Sequence, residues 1–272
     1  MIYLSGRMII DSHCHLTFPD FEHRIESVLA DAAAEGVGGA VTISTTTEDC
    51  LDALDLADAY DNVWCSAGVH PLYSDRGPHE WSRLLGVARH PKCVAWGELG
   101  LDQHYDTPDQ ATQLAVLEEQ LAHLESWRDE VDLPVVIHCR KAFADLIPIL
   151  DASALPNERF VFHCFTGGPA DMRMLLDFGA CVSFTGVVTY KNAAEVREAA
   201  LLVPRDRFMV ETDAPFLTPA PHRGVRPNEP KYVRTIATFL ADLWGMDEAA
   251  FDARVNENTE RFFGIRVGES AR

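Results

Sequence analysis

The chain predicts a closed (β/α)₈ barrel, and three observations carry that expectation. Eight short apolar runs recur at fairly even intervals, helix-like stretches follow most of them, and histidine or carboxylate side chains stand where runs end. At 272 residues with 47% hydrophobic content, the chain is long enough to form one such domain over 1–272.

The runs cover 8–13, 39–43, 63–69, 93–98, 134–138, 160–163, 180–184 and 208–211. Most are rich in Val, Ile, Phe and Cys without strict polar alternation, as expected of strands buried on both faces. Between positions 107 and 132, Leu114, Leu117, Leu121 and Leu124 recur at three- and four-residue steps, forming one apolar helical stripe. Thr107 or Asp109 can cap that helix, and Pro134 marks the return to a strand. Segments 30–34, 193–202 and 232–243 read the same way. A doubly wound open sheet is the runner-up, weakened because no glycine-rich fingerprint follows the first run. The longest irregular stretch, 214–230, carries five prolines after the last run.

Asp11-Ser12-His13-Cys14-His15 places two histidines two residues apart. On a strand they face one way while Cys14 faces the other. Further ligand-type residues close later runs: His70, Glu98, His138, His163 and Asp213. A barrel brings the carboxyl ends of its strands to one mouth. Convergent buried polar groups there are costly without an ion to pair them. The donors His13, His15, Glu98, His138, His163 and Asp213 are nitrogen and oxygen, which suits an open catalytic site for Zn²⁺ or Mn²⁺, with Mg²⁺ less natural. Six donors exceed one open site and fit two divalent ions sharing Glu98 as a bridge. Glu211 shares a strand face with Asp213, either for a third ion or as an orienting partner.

The formal charge of −19 opposes nucleic acid as a bulk property. Acids within 48–61 and 118–132 read as solvated outer helix faces, so the sum does not describe the mouth. Arg140 and Lys141 follow the fifth run and Lys191 the seventh. His222, Arg223, Arg226 and Lys231 follow the eighth, where barrels of this kind commonly bind phosphate. Tyr190 and Phe216 lie nearby, where they can stack on bases or pack the loops. Seven cysteines, odd in number and without tandem spacing, indicate a reducing, cytoplasmic setting. Cys14, Cys139 and Cys164 read as small core residues. No run approaches the roughly 18 apolar residues of a membrane span, and residues 1–7 read as a short leader without signal-peptide character.

The motifs DSHCHL at 11–16, AGVHP at 67–71, GELGLD at 97–102, PVVIHCRKA at 134–142, HCFTGG at 163–168 and ETDAPFLTP at 211–219 resemble the TatD family of metal-dependent deoxyribonucleases. The resemblance spans nearly the whole chain in block order and spacing. It implies a TIM barrel of the amidohydrolase type that hydrolyses DNA phosphodiesters. By position it implies that His13, His15, Glu98 and Asp213 bind one ion, that Glu98, His138 and His163 bind the other, and that His70 contacts the substrate phosphate. The expected chemistry is hydroxide attack with Asp213 orienting the nucleophile and accepting its proton, and with Arg140, Arg223 and Arg226 binding a DNA single strand or end. Three departures touch the rim. The leader is long, Gln103-His104-Tyr105 replaces a commoner aromatic pair, and RGVRPNEP at 223–230 carries an inserted proline. The alternative is an esterase or amidohydrolase, such as a D-aminoacyl-tRNA deacylase. Absence of a lysine where Glu98 stands disfavours the familiar amidase arrangement. Oligomeric state has no signal in the sequence.

Overall fold

Strands rich in Val, Ile and Phe must be covered on both faces, and a closed parallel sheet ringed by helices achieves this. A computed structural model describes residues 8–266; the leader 1–7 lies outside the described residues. The strands β1 (Ile9–Cys14), β2 (Val37–Thr42), β3 (Val63–Ala67), β4 (Cys93–Asp102), β5 (Val135–Arg140), β6 (Phe160–Phe162), β7 (Cys181–Phe184) and β8 (Phe208–Val210) lie in sequence order in one parallel sheet. Helices α1 (Ile25–Ala34), α2 (Asp49–Ala59), α3 (Trp81–Ala88), α4 (Gln110–Trp127), α5 (Phe143–Asp151), α6 (Pro169–Phe178), α7 (Ala194–Ala200) and α8 (Val233–Trp244) follow the strands in turn, and α9 (Glu248–Phe263) is added at the end. This is the (β/α)₈ barrel, and the open-sheet alternative falls.

Backbone bonds between β1 and the segment after β8 close the ring. The His15 amide donates to the Ala214 carbonyl at 2.7 Å and the Asp213 amide to the His13 carbonyl at 2.9 Å. Asp11 reinforces the seam by accepting from the Thr212 amide at 2.8 Å and from its hydroxyl. Closure therefore fixes His13, His15 and Asp213 relative to one another before any ligand arrives.

Ile10, Val41, Val94, Val136, Val161 and Met209 fill the barrel interior, with Phe262 and Phe263 of α9 packed against them. Asn256 donates to the Met8 carbonyl and Asn258 to that of Phe208, so α9 plugs the amino end of the barrel. The sequence reading stopped at position 243 and did not anticipate α9. Its apolar positions, Phe251, Val255 and Phe262, are diluted by a charged face. Of the two candidate caps for α4, Asp109 is the one used, accepting from the Thr112 amide at 2.7 Å. Among the described residues no helix is long and apolar enough to cross a membrane.

Candidate metal centre

Every ligand-type residue expected at the mouth converges there. His13 lies within β1, with His15 just beyond its end. Glu98 lies within β4, His138 within β5, His163 directly follows β6 and Asp213 follows β8. His13, Glu98 and His163 are buried, and the Asp213 side chain keeps 14% exposure. Glu98 faces two ways. Its Oε2 lies 3.2 Å from His13 Nε2 and 3.9 Å from His15 Nε2, and those two nitrogens lie 3.7 and 3.4 Å from Asp213 Oδ1. Its Oε1 lies 2.6 Å from His138 Nδ1 and 2.5 Å from His163 Nε2. The His13 and His163 rings stack at 4.0 Å.

The outer nitrogen of each ring decides what its inner nitrogen offers. His15 Nδ1 lies 3.1 Å from the Ile43 carbonyl, which only accepts, so that nitrogen carries the proton and Nε2 turns a lone pair inward. His138 Nε2 lies 3.0 Å from Asp102 Oδ2, with the same consequence, while His163 Nδ1 faces Glu211 Oε1 at 3.3 Å without a hydrogen bond. In their neutral forms the His15 and His138 rings thus turn lone pairs toward the oxygens of Glu98 and Asp213. Inner nitrogens stand 3.3 Å apart in both the His13–His15 and His138–His163 pairs, and Glu98 Oε2 has no hydrogen-bond donor. With the rings neutral these are converging acceptors that repel one another, so the donor set fits positive charge, carried either by protons on the rings or by a metal ion. His13-His15-Asp213 and His13-Glu98-His163 form two groups with ligand spacing.

His70 joins a third such group with Glu98 and His138, but its hydrogen bonding sets it apart. The Leu72 amide donates to His70 Nδ1 at 2.9 Å, so in the neutral ring the proton sits on Nε2, 3.3 Å from Glu98 Oε1. Burial lowers the His70 pKa to about 4, keeping the ring neutral near pH 7. His70 therefore offers a hydrogen-bond donor to the mouth, not a lone pair.

The cluster attracts positive charge. Burial works against ionisation of Glu98, yet the surrounding rings, His163 first, hold its carboxyl well below the ordinary range. Burial likewise opposes charge on His163, and the Glu98 carboxylate overcomes it and pushes the ring pKa well above its usual value. Asp213 is held low against its own burial by the neighbouring His15, His13 and His163 rings.

Three carboxylates sit around this set without joining it. Asp102, four residues after Glu98, was missed as a functional residue. Its Oδ2 holds His138, its Oδ1 accepts the amides of His104 and Tyr105, and its pKa is lowered to about 2, the His138 bond outweighing burial. The signal was present, since positions 98, 100 and 102 share a face in strand alternation. Replacing Asp102 by Asn keeps the shape and removes the charge; a 10- to 100-fold loss of metal affinity is expected in a chelator-competition titration. Unchanged affinity would show that His138 needs no such partner. Glu211 has its oxygens engaged by the Cys164 amide at 2.7 Å and the Ser183 hydroxyl at 2.6 Å, the geometry of an orienting partner. Asp11, the seam residue, has its pKa pushed up to about 8 by burial.

At the rim, Arg223 stacks on Tyr190 at 4.0 Å, and both join Arg226, Pro215, Leu217 and Thr218 around a cavity of about 160 Å³. Arg140 stands over Tyr105 at 5.2 Å. Exposed Phe216 faces Phe18, which stacks on His15 at 4.8 Å. Two expectations change. Lys231 pairs with Glu229 at 2.6 Å and Asp31 at 2.9 Å, so it is committed to the outer wall. Cys164 is only half-buried and adopts a left-handed backbone at φ 46°, so it is a turn residue, while Cys14 and Cys139 are core.

A parallel barrel with this nitrogen and carboxylate cluster at the carboxyl ends of its strands has the architecture of a metal-dependent hydrolase. A sequence model described as TatD related DNase matches residues 10–264, and the chain belongs to that family. It is 40% identical over 260 residues to an uncharacterized metal-dependent hydrolase, YcfH, of Escherichia coli strain K12, covering 94% of this chain and 96% of the relative. It is 35% identical over 270 residues to a protein of Enterobacter lignolyticus named 3'-5' ssDNA/RNA exonuclease TatD, covering 95% and 100%. The crystal structure of YJJV, a TatD homologue from Escherichia coli K12, superposes with a TM-score of 0.85 at 28% identity, covering 95% and 98% of the two chains.

Proposed function

We propose that the protein is a divalent-metal-dependent deoxyribonuclease that removes nucleotides from single strands or strand ends using two ions. The carrying observation is Glu98, whose two oxygens face two separate donor sets. His13, His15 and Asp213 with Glu98 Oε2 would hold one ion; His138 and His163 with Glu98 Oε1 would hold the other. Such ions supply Lewis-acid charge to a phosphoryl group and acidify water at neutral pH. Zn²⁺ and Mn²⁺ suit the imidazole-rich set.

The chain's own residues do the rest. Asp213, its pKa held low and its side chain partly exposed, would orient the attacking water and accept its proton. His70 donates its Nε2–H to a non-bridging phosphate oxygen. Arg140, Arg223 and Arg226 bind flanking phosphates, Arg being suited to bidentate capture. Relatives named for ssDNA and RNA exonuclease activity support a single-stranded substrate. The free cysteines support a reducing, cytoplasmic setting.

The test is digestion of 5′- and 3′-labelled single-stranded oligonucleotides by metal-stripped enzyme resupplied separately with Mg²⁺, Mn²⁺ or Zn²⁺. A ladder shortening from one end under at least one metal is expected. No cleavage under any metal would remove the nuclease reading.

A further inference from the structure

Most cations of this acidic chain are committed. Arg83 pairs with Glu48, Arg89 with Glu130, Arg234 with Asp252 and Arg254 with Glu257, and Arg197 donates to backbone carbonyls. Among the described residues, the cations with neither a carboxylate nor a carbonyl partner are Arg76, Arg140, Lys141, Lys191, Arg223 and Arg226. All of them lie at or beyond the carboxyl ends of strands: Arg76 after β3, Arg140 and Lys141 at β5, Lys191 after β7, and Arg223 and Arg226 after β8. In a chain of net charge −19, an outer wall that neutralises its cations and a mouth that leaves them free is a sorted distribution.

Three of these arginines rest on tyrosine rings. Arg76 lies 4.1 Å over Tyr73, Arg140 5.2 Å over Tyr105 and Arg223 4.0 Å over Tyr190. Each pair is tied to the cluster. The Tyr73 ring is 5.8 Å from that of His70, the Tyr105 amide is held by Asp102, and Arg223 and Tyr190 line the cavity with Pro215, two residues from Asp213. Stacking fixes the guanidinium plane while leaving its N–H edge free for phosphate oxygens. Tyr105, 49% exposed, also keeps surface for a base, whereas Tyr190 is buried and serves as the plate under Arg223.

We infer that the three arginine–tyrosine pairs form a strand-binding rim. Arg76, Arg140 and Arg223 each hold a phosphate of one nucleic-acid strand laid across the mouth from the β7–β8 side to the β3–β5 side. Arg76, Tyr73 and Tyr105 carry no role in the sequence reading, and the inference rests on the proposed single-strand phosphodiesterase activity. The rim explains how so acidic a protein engages a polyanion, since binding follows the local field at the mouth.

The experiment measures binding of a labelled oligothymidylate of about a dozen residues to the full chain in chelator, by fluorescence anisotropy between about 50 and 200 mM salt. Three single-strand phosphate contacts predict a slope of log K on log salt of at least about −2, and each of Arg76→Gln, Arg140→Gln and Arg223→Gln should lower its magnitude by about 0.7. Tyr105→Leu should weaken binding roughly 5- to 150-fold, and an abasic strand of equal length should lose the same contribution. Arg83→Gln, on the outer wall, should leave the slope unchanged. Wild-type slopes in all three rim variants, or an equal fall in Arg83→Gln, would overturn the rim. Hydrolysis of bis(4-nitrophenyl) phosphate by the metal-loaded wild type separates the two readings. Hydrolysis with unaltered rim slopes removes the rim alone, and the expected slopes without hydrolysis of diester or oligonucleotide keep the rim and remove the chemistry.

Discussion

Glu98→Gln is expected to lower hydrolysis by at least about 10³-fold while leaving the barrel folded. The substitution keeps volume and shape but removes the one carboxylate shared between the His13–His15 side and the His138–His163 side. If that carboxylate helps hold both ions, losing it weakens both donor sets, and the several kcal/mol of transition-state stabilisation that metal charge supplies corresponds to three or more decades in rate. Folding should survive because the β4–β5 pairing and the β1–β8 seam are made by backbone. The rings should respond in a defined direction. With the carboxylate gone, burial is opposed only by the Glu211 carboxylate, and the His163 pKa should shift downward. The checks are metal content by elemental analysis, turnover of a labelled single strand, and thermal melting. Retained metal content together with activity within tenfold of wild type would break the shared-carboxylate assignment.

Legibility followed the physics of each feature. Strand runs such as 134–138 and 208–211 stood out because burial on both faces removes polar residues, and that depends on sequence alone. The ligands stood out for a related reason, since His13 and His15 follow strand alternation and the others sit where apolar runs end. Features that depend on loop path were hidden. The resemblance implied a phosphate contact for His70, but the reason it can donate lies in the Leu72 amide on its Nδ1, which no sequence pattern displays. Glu211 carries two readings, and the Ser183 hydroxyl and Cys164 amide on its oxygens support the orienting one. Arg76 was invisible because its meaning lies in Tyr73 beneath it and in the lack of a neighbouring acid. Asp102 is the instructive miss. It lies within GELGLD, but the apolar run 93–98 stops at Glu98, whereas β4 continues to Asp102.

That extension of β4 rests on Gly100, and Gly100→Ala is expected to damage stability and site together. Gly100 pairs with His138 in the β4–β5 register, and its φ is +146°, a region open essentially to glycine. A Cβ there would stand 1.9 Å from the His138 carbonyl oxygen and 2.9 Å from its carbonyl carbon, both backbone atoms that no rotamer change can move. Relief requires β4 or β5 to shift. Steric overpacking at about 1–3 kcal/mol and backbone strain of similar size sum to about 2–6 kcal/mol. At about 2–4 °C per kcal/mol for a chain of about this length, the melting temperature should fall by at least about 4 °C. The same shift carries His138 away from Glu98 and Asp102, and a displacement of about 1 Å in a positioned group can cost about 10²-fold in rate. The contrast is Gly86→Ala in α3, where a Cβ meets nothing within 4 Å and helix propensity favours alanine by about 0.5–1 kcal/mol. Melting curves and metal titrations of the two variants decide the matter. If Gly100→Ala melts and binds metal like the wild type, the close approach of β4 to β5 is not what sets His138 in place.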